Sequence, residues 1–485
     1  MKPAGKLAVT FVIVAVILCV HLSHQHAQLT DTFVNVVFQP LYRRWTSFIG
    51  ERGVADIVSQ STSPKGFDTS SIRADVSKKQ PTKTENIVAG VSKKPPKIVN
   101  DSAGDSDFDM TRYSHIMTER IQHLHEACTK YSTSKRLTKN IIHAADAKAL
   151  YCAIPKIGSS FLLRVMKVLA LATDVSPLDM SGLEIHTAVG KFRLNHRLSA
   201  DNINVQFRDN TKIMFTRHPY LKIFSAFVDK LYVLSFEPVN HLIIRKTNIV
   251  SGNYKLTRLN ALNASFAGAL QYAMGDFGGF DMHFHPPSDL CDVCHINYDI
   301  IGKMETFNDD VEYFLTSINK SSVLKSMGDI DTNNSRRIVI EIVLRTFTRT
   351  LTRKHSHFDC ESKDALLRRL WNYFQIRGYI SDHIRYPLKT QEKSCDISRK
   401  EYTNLALDAL SRSGSKAELR NQRHRYYLQA FRTVPLDILH RYRDFVRRDC
   451  ELFGYDCTPA EIFQGRKQGD EESNIFSDLK YIYKL

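Results

Sequence analysis

Apolar residues follow three regimes along the chain. Between Leu7 and Leu22 they form one run, LAVTFVIVAVILCVHL, broken only by Thr10 and His21 and preceded by Lys2 and Lys6. As a helix of about 16 residues this run would be about 24 Å long, short of an average hydrocarbon core and near that of thinner internal membranes. It reads as a signal anchor, with residues 1–6 as a cytoplasmic tail, because flanking lysines stay on the cytoplasmic side. A cleaved signal peptide is the competing reading, but His21, Leu22, Ser23 and His24 supply no small-x-small cleavage site. From residue 59 to 109 periodicity is lost among Ser, Thr, Lys, Pro and Asp, with the runs KKQPTKT and SKKPPK. Such a composition buries too little apolar surface to offset chain entropy, so residues 23–110 are expected to form a largely disordered lumenal stalk.

Periodicity resumes at Thr111 and persists to about Asp456, which places one globular domain over 111–460 and a tail over 461–485. Short apolar runs at Ala149 to Ile154 and Ile213 to Phe215 each precede a helical pattern. That alternation predicts an α/β fold with a central parallel sheet flanked by helices. The segment 326–415 departs from it and reads as a helical insert, an elaboration on the acceptor side.

Cysteine and charge fix the compartment and the partners. Cys19 lies in the apolar run, leaving Cys128, Cys152, Cys291, Cys294, Cys360, Cys395, Cys450 and Cys457, an even set suited to disulfides in an oxidising lumen. Asn-x-Ser sequons at Asn100, Asn263, Asn319 and Asn333 are usable only there. The formal charge of +16 presents a basic surface to acidic partners. In that compartment nucleic acid is excluded, and anionic glycans and phosphorylated nucleotides remain. Cys291 and Cys294 form a CxxC, but no second pair follows at ribbon spacing, so disulfides to distant partners are preferred to zinc and no metal is expected.

Two strand-turn-helix stretches carry the chemistry. In YCAIPKIGSSFLLRVM, the turn Pro155, Lys156, Ile157, Gly158, Ser159 and Ser160 leads into a helix. Backbone N–H groups at a helix start, a glycine for close approach, two hydroxyls and a mobile ammonium suit a phosphate. The Walker spacing GxxxxGK[ST] is absent, and a structural turn with an exposed lysine is the competing reading. In KIMFTRHPYLKIFSAFVDKLY, Pro219 suits the first helical position and Arg217 sits at the strand's end. Its forked donors suit a second phosphate, with Ser225 leaning toward the same anion and Phe224, Phe227, Val228 and Leu231 facing the core. A salt bridge at the sheet edge is the competing reading for Arg217.

Together these stretches resemble the 5'-phosphosulfate and 3'-phosphate elements of the Golgi carbohydrate sulfotransferase family that includes the chondroitin and dermatan 4-O-sulfotransferases. The resemblance rests on Pro155, Lys156, Gly158, Ser159, Arg164, Val165 and Met166, then on Phe215, Arg217, Pro219, Ser225, Ala226, Asp229 and Lys230. Phe161 and Leu162 replace the usual Asn-Trp. A third stretch with His285, Pro286, Cys291, Cys294, Ile296, Tyr298, Asp299, Ile301, Gly302, Lys303, Glu305 and Thr306 makes the likeness specific. A closing stretch from Val434 to Tyr455 resembles the family's last helix. The likeness covers about 145–325 and 425–456 and leaves the insert uncovered.

The resemblance implies a P-loop-like sulfotransferase fold and 3'-phosphoadenosine 5'-phosphosulfate (PAPS) as co-substrate, without metal. It further implies a glycan acceptor, anionic or neutral, and attachment to the Golgi membrane as a single-pass type II protein. It places the 5'-phosphosulfate on the loop 155–160 and the 3'-phosphate on Arg217 and Ser225. Lys156 and His186 become the catalytic pair, with His186 as general base ahead of His285 and Glu305. Arg336, Arg337, Arg345, Arg349 and Arg353 either track an anionic glycan or form a solvated face. Homodimerisation is left open. A lumenal kinase and a non-catalytic basic glycan-binding protein are the rival functions.

Overall fold

The computed structural model describes residues 108–476, apart from 132–137, 139, 174, 181–184, 186–191, 195–197, 248–260, 279–280, 328–329, 352–358, 390, 468 and 470–473. The expected anchor, nearly all of the stalk and His186 lie outside the described residues. Among the described residues no helix is long and apolar enough to cross a membrane.

A four-stranded sheet runs in the order β1-β2-β3-β4, with β1 Ile141–Ala144, β2 Ala149–Cys152, β3 Thr211–Thr216 and β4 Ile300–Lys303. The two expected strands are β2 and β3; they pair in parallel, Ala149 opposite Thr211, and β3 pairs in parallel with β4. Every residue of β2 is buried, and in β3 all but Thr211, the continuous apolar pattern of strands covered on both faces. The sheet is not wholly parallel. β1 pairs antiparallel with β2 because only Ala145–Lys148 joins them, too short a link for a crossover.

The helices that frame the site are α1 Met110–Cys128, α2 Ser159–Leu171, α3 Pro219–Ala226, α4 Pro287–Cys291 and α5 Phe307–Ser317. Beyond them lie α6 Ile330–Arg345, α7 Cys360–Ile376, α8 Lys416–Arg432 and α9 Leu436–Phe453. Pro219 occupies the first turn of α3, as its fixed φ predicts, and α3 runs on into a π-helical turn over Phe227–Tyr232. Phe224, Phe227, Val228 and Leu231 are buried as expected. One core gathers around the sheet, α1, α2 and α5, and a second lies among α3, α7, α8 and α9.

Four disulfides join Cys128 to Cys294, Cys152 to Cys291, Cys360 to Cys395 and Cys450 to Cys457. Both cysteines of the CxxC therefore reach distant partners, as their spacing suggested. The bond from Cys152 to Cys291 ties the strand ahead of the Lys156 loop to the end of α4.

Candidate active site

The loop after β2 is shaped by two left-handed residues, Lys156 with φ 70° and Gly158 with φ 63°. Glycine takes that conformation freely, whereas for lysine it costs about 1–2 kcal/mol, a strain characteristic of functional loops. Alternating left-handed residues turn successive N–H groups toward one concavity, and the first N–H groups of α2 have no partner within their helix. A side chain at 158 has no room, since a Cβ there would lie 2.5 Å from Phe307 Cε2. Phe307 also meets the ring of Phe161 edge-on at 5.4 Å, while Leu162 is fully buried. The two replacements in the family pattern thus pack the floor beneath the loop.

Lys156 Nζ donates to Asp229 Oδ2 at 2.7 Å, a carboxylate also held by Arg345 at 2.9 Å and Lys230 at 3.3 Å. Burial draws the Lys156 ammonium down to about 7, with Lys230 and Arg377 adding repulsion against the pull of Asp229. Burial opposes ionisation of Asp229 as well, yet Lys156, Arg345 and Lys230 hold its carboxyl well below the usual range. The carboxylate therefore serves as a fixed anion that orients the lysine.

Arg217 follows β3, and its Nη1 donates to the Lys156 carbonyl at 3.2 Å, bringing both expected phosphate elements into contact. Burial pushes its guanidinium down to about 10, with Arg377 as the next cause. Arg377 caps the C-terminal end of α7 and donates from Nη1 to Ser225 Oγ at 3.1 Å. Its Nε is buried without a hydrogen-bond partner among the described residues. Two neighbouring guanidiniums and a buried donor without a partner are suited to binding an anion. Ser225 is buried and touches this cluster through Arg377.

The remaining expectations divide. Ile157 keeps its backbone in the loop, but its side chain is wholly buried, so only its N–H is available to a ligand. Pro155, Ser159 and Ser160 stand in the loop and first turn of α2, with Ser160 exposed. Glu305 accepts from the His218 N–H and from Tyr455 Oη, each at 3.0 Å, which commits it to fixing the start of α3. The His285 carbonyl accepts from Lys222. Arg337 and Arg345 do not line a solvated face, since they pair with Glu341 and Asp229. Arg377 was not legible as a site residue, because it ends a helix 160 residues beyond Arg217 in the chain (377 − 217).

The profile of the sulfotransferase family matches residues 139–376, so it extends through α7 into the segment that residue likeness alone leaves uncovered. Human carbohydrate sulfotransferase 9 is 29% identical over 248 residues, covering 48% of this chain and 55% of that protein. Human carbohydrate sulfotransferase 8 is 30% identical over 222 residues, 41% of this chain and 49% of its own length. Carbohydrate sulfotransferase 11 of Danio rerio is 27% identical over 221 residues, 41% of this chain and 61% of its own. The chain thus spans about half the length of the curated relatives it matches. No solved structure matches it. With the Lys156 loop and Arg217 in contact inside the matched region and carbohydrate sulfotransferases as its relatives, residues 139–376 of this chain form a sulfotransferase-family domain.

Proposed function

We propose that the chain is a Golgi carbohydrate O-sulfotransferase that moves a sulfuryl group from PAPS to a glycan hydroxyl. Chondroitin, dermatan or another N-acetylgalactosamine-type glycan is the expected acceptor. The observation that carries this reading is the contact between the Lys156 loop and the Arg217 cluster at the carboxyl ends of adjacent parallel strands. Ligands of open α/β sheets bind there. A donor with a phosphosulfate at one end and a phosphate at the other needs two such sites side by side.

Sulfuryl transfer, like phosphoryl transfer, is governed by positioning and by stabilising charge spread over peripheral oxygens. PAPS supplies the activated sulfuryl group when bound. Lys156, with the hydroxyls of Ser159 and Ser160 and the N–H groups from Ile157 to Ser160, is assigned to the 5'-phosphosulfate. Arg217 and Arg377, the latter set by Ser225, are assigned to the 3'-phosphate and would favour PAPS over ATP. Asp229 keeps the Lys156 ammonium directed at the loop. The basic surface suits an anionic glycan, and the run from Leu7 to Leu22 supports a type II membrane arrangement with the domain in the lumen.

The test is transfer of labelled sulfate from PAPS by the full chain to a panel of desulfated glycans, beside Lys156→Ala and Arg217→Ala. Transfer to a glycan that both substitutions abolish is the expected result. Failure of the folded wild type to bind PAPS would sink the reading.

A further inference from the structure

Asp281 and His283 form a pair that the functions assigned above leave unused. Asp281 Oδ1 accepts from the His283 backbone N–H at 2.8 Å and lies 2.7 Å from its Nδ1. An imidazole whose Nδ1–H rests on a carboxylate carries its lone pair on Nε2, the arrangement of a base held by an orienting acid. The pair is partly open to solvent, His283 at 22% and Asp281 at 23%. Lys222 of α3 fixes the segment by donating to the carbonyls of His283 at 3.1 Å and His285 at 2.6 Å. A chain of contacts then leads to the reacting end of the site. The His283 ring meets Phe236 edge-on at 5.3 Å, and Lys230 Nζ lies 5.1 Å from the centre of the Phe236 ring. Lys230 is 3.3 Å from the Asp229 carboxylate that holds Lys156.

We infer that His283, oriented by Asp281, is the general base that takes the proton from the acceptor hydroxyl, in the place that resemblance gives to His186. The inference rests on the sulfotransferase reading. As the acceptor oxygen bonds to sulfur, the bond from sulfur to the bridging phosphate oxygen breaks. The electron pair leaves with 3'-phosphoadenosine 5'-phosphate (PAP), and the hydroxyl proton passes to His283 Nε2 and then to water. No oxidant or metal is needed. The charged groups facing the imidazole are Asp281 on its own segment, Lys230 on the π-helical turn and Lys156 on the loop. Burial, aided by the two lysines and opposed by Asp281, keeps the imidazole below its ordinary range and hence neutral near pH 7. A base acts deprotonated, so the rate falls as pH drops through its pKa. Removing the Asp281 charge removes a raising influence and moves that acidic limb to lower pH.

The experiment measures kcat, KM and PAP affinity of the full chain for wild type, His283→Asn, His283→Gln, Asp281→Asn and His186→Asn over about pH 5 to 9. Loss of a general base predicts a fall in kcat of about 10²- to 10⁴-fold in both His283 variants with PAP affinity retained. Asp281→Asn should lower kcat and shift the acidic limb downward, which loss of a merely structural contact would not do. A His283→Gln chain that binds PAP and transfers sulfate like wild type overturns the inference and leaves the sulfotransferase reading standing. So does an acidic limb that disappears in His186→Asn alone. Wild type that binds no PAP and transfers no sulfate overturns both. Should the variants not fold, or no acceptor be found, carbethoxylation of wild type decides: His283 should react and be shielded by PAPS, and an inert or unshielded His283 refutes the assignment.

Discussion

Lys156 is pulled two ways at once, since the burial that excludes water from the proposed donor site also disfavours the charge that an anion there would need. With its ammonium drawn to about 7, the charged form is retained below that pH and lost above it. A donor anion binds the charged form, so PAP affinity should weaken as pH rises above about 7. Titration calorimetry should find the trend in wild type and not in Lys156→Arg, whose guanidinium stays charged. Arg377 makes a complementary prediction. Its truncation to alanine removes charge-assisted hydrogen bonds worth about 1.5–3 kcal/mol, or roughly 10- to 150-fold in affinity for PAP. Affinity for adenosine 5'-phosphosulfate, which lacks the 3'-phosphate, should change little; equal losses for both ligands would place Arg377 elsewhere. The types and spacing of Lys156, Gly158 and Arg217 mark them in the sequence because each follows a strand. Arg377 has no such marker, for its place depends on how α7 packs against the π-helical turn after α3.

At the scale of elements, periodicity located β2 and β3, whose apolar runs are continuous, and Pro219 located the start of α3. β4 escaped that reading because Gly302 and Lys303 cut its apolar run to Ile300 and Ile301; the Phe215 ring packs against the missing side chain of Gly302. The antiparallel edge strand β1 was hidden for a different reason, its direction being set by the length of a turn and not by hydrophobic pattern. Disulfide pairing is a tertiary fact and was not readable either. Its energetic weight follows from loop length. Because the Cys128–Cys294 bond already encloses it, the Cys152–Cys291 bond adds a loop of 27 residues (152 − 128 plus 294 − 291), so replacing its cysteines by serine should cost about 3.5 kcal/mol, and replacing Cys450 and Cys457, 7 apart, about 2.4 kcal/mol. Chemical unfolding of the two double variants checks the order, and the first should also lose PAP affinity because it frees the strand that carries the Lys156 loop.

Across the whole molecule, the segment 326–415 reaches α2 and the π-helical turn after α3. Through α6 it places Glu341 2.9 Å from Nη2 of buried Arg164 on α2, and Arg345 on Asp229. Arg164 also donates to the carbonyls of Met180 and Ser160, so it is a structural tie within the first motif. Glu341→Ala should strip that guanidinium of its carboxylate and cost about 1–3 kcal/mol in unfolding experiments, with donor affinity lowered as α2 loosens. An unchanged stability would mean that α6 contributes nothing to the donor side. The match of the family profile runs through α6 and α7 and ends at residue 376, one residue before Arg377. Arginines on α6 resembled a solvated face in the sequence because charge alone does not reveal which carboxylates the fold brings to them.

The C-terminal contact with the second motif has a consequence for synthesis. Tyr220 Oη donates to the Cys457 carbonyl at 2.8 Å, the His218 ring lies tilted against that of Tyr455 with centres 5.2 Å apart, and Lys303 donates to the Phe453 carbonyl at 2.8 Å. A ribosome extends the chain from the other end, so strands β2 and β3 emerge long before the residues that brace them. The growing polypeptide holds the Lys156 loop early, gains its second guanidinium only at Arg377, and closes the brace only at Cys457. Closure of the candidate site is therefore a late event in the protein's birth, and a product cut short by a premature stop codon between β4 and Cys457 would have its strands but no finished brace.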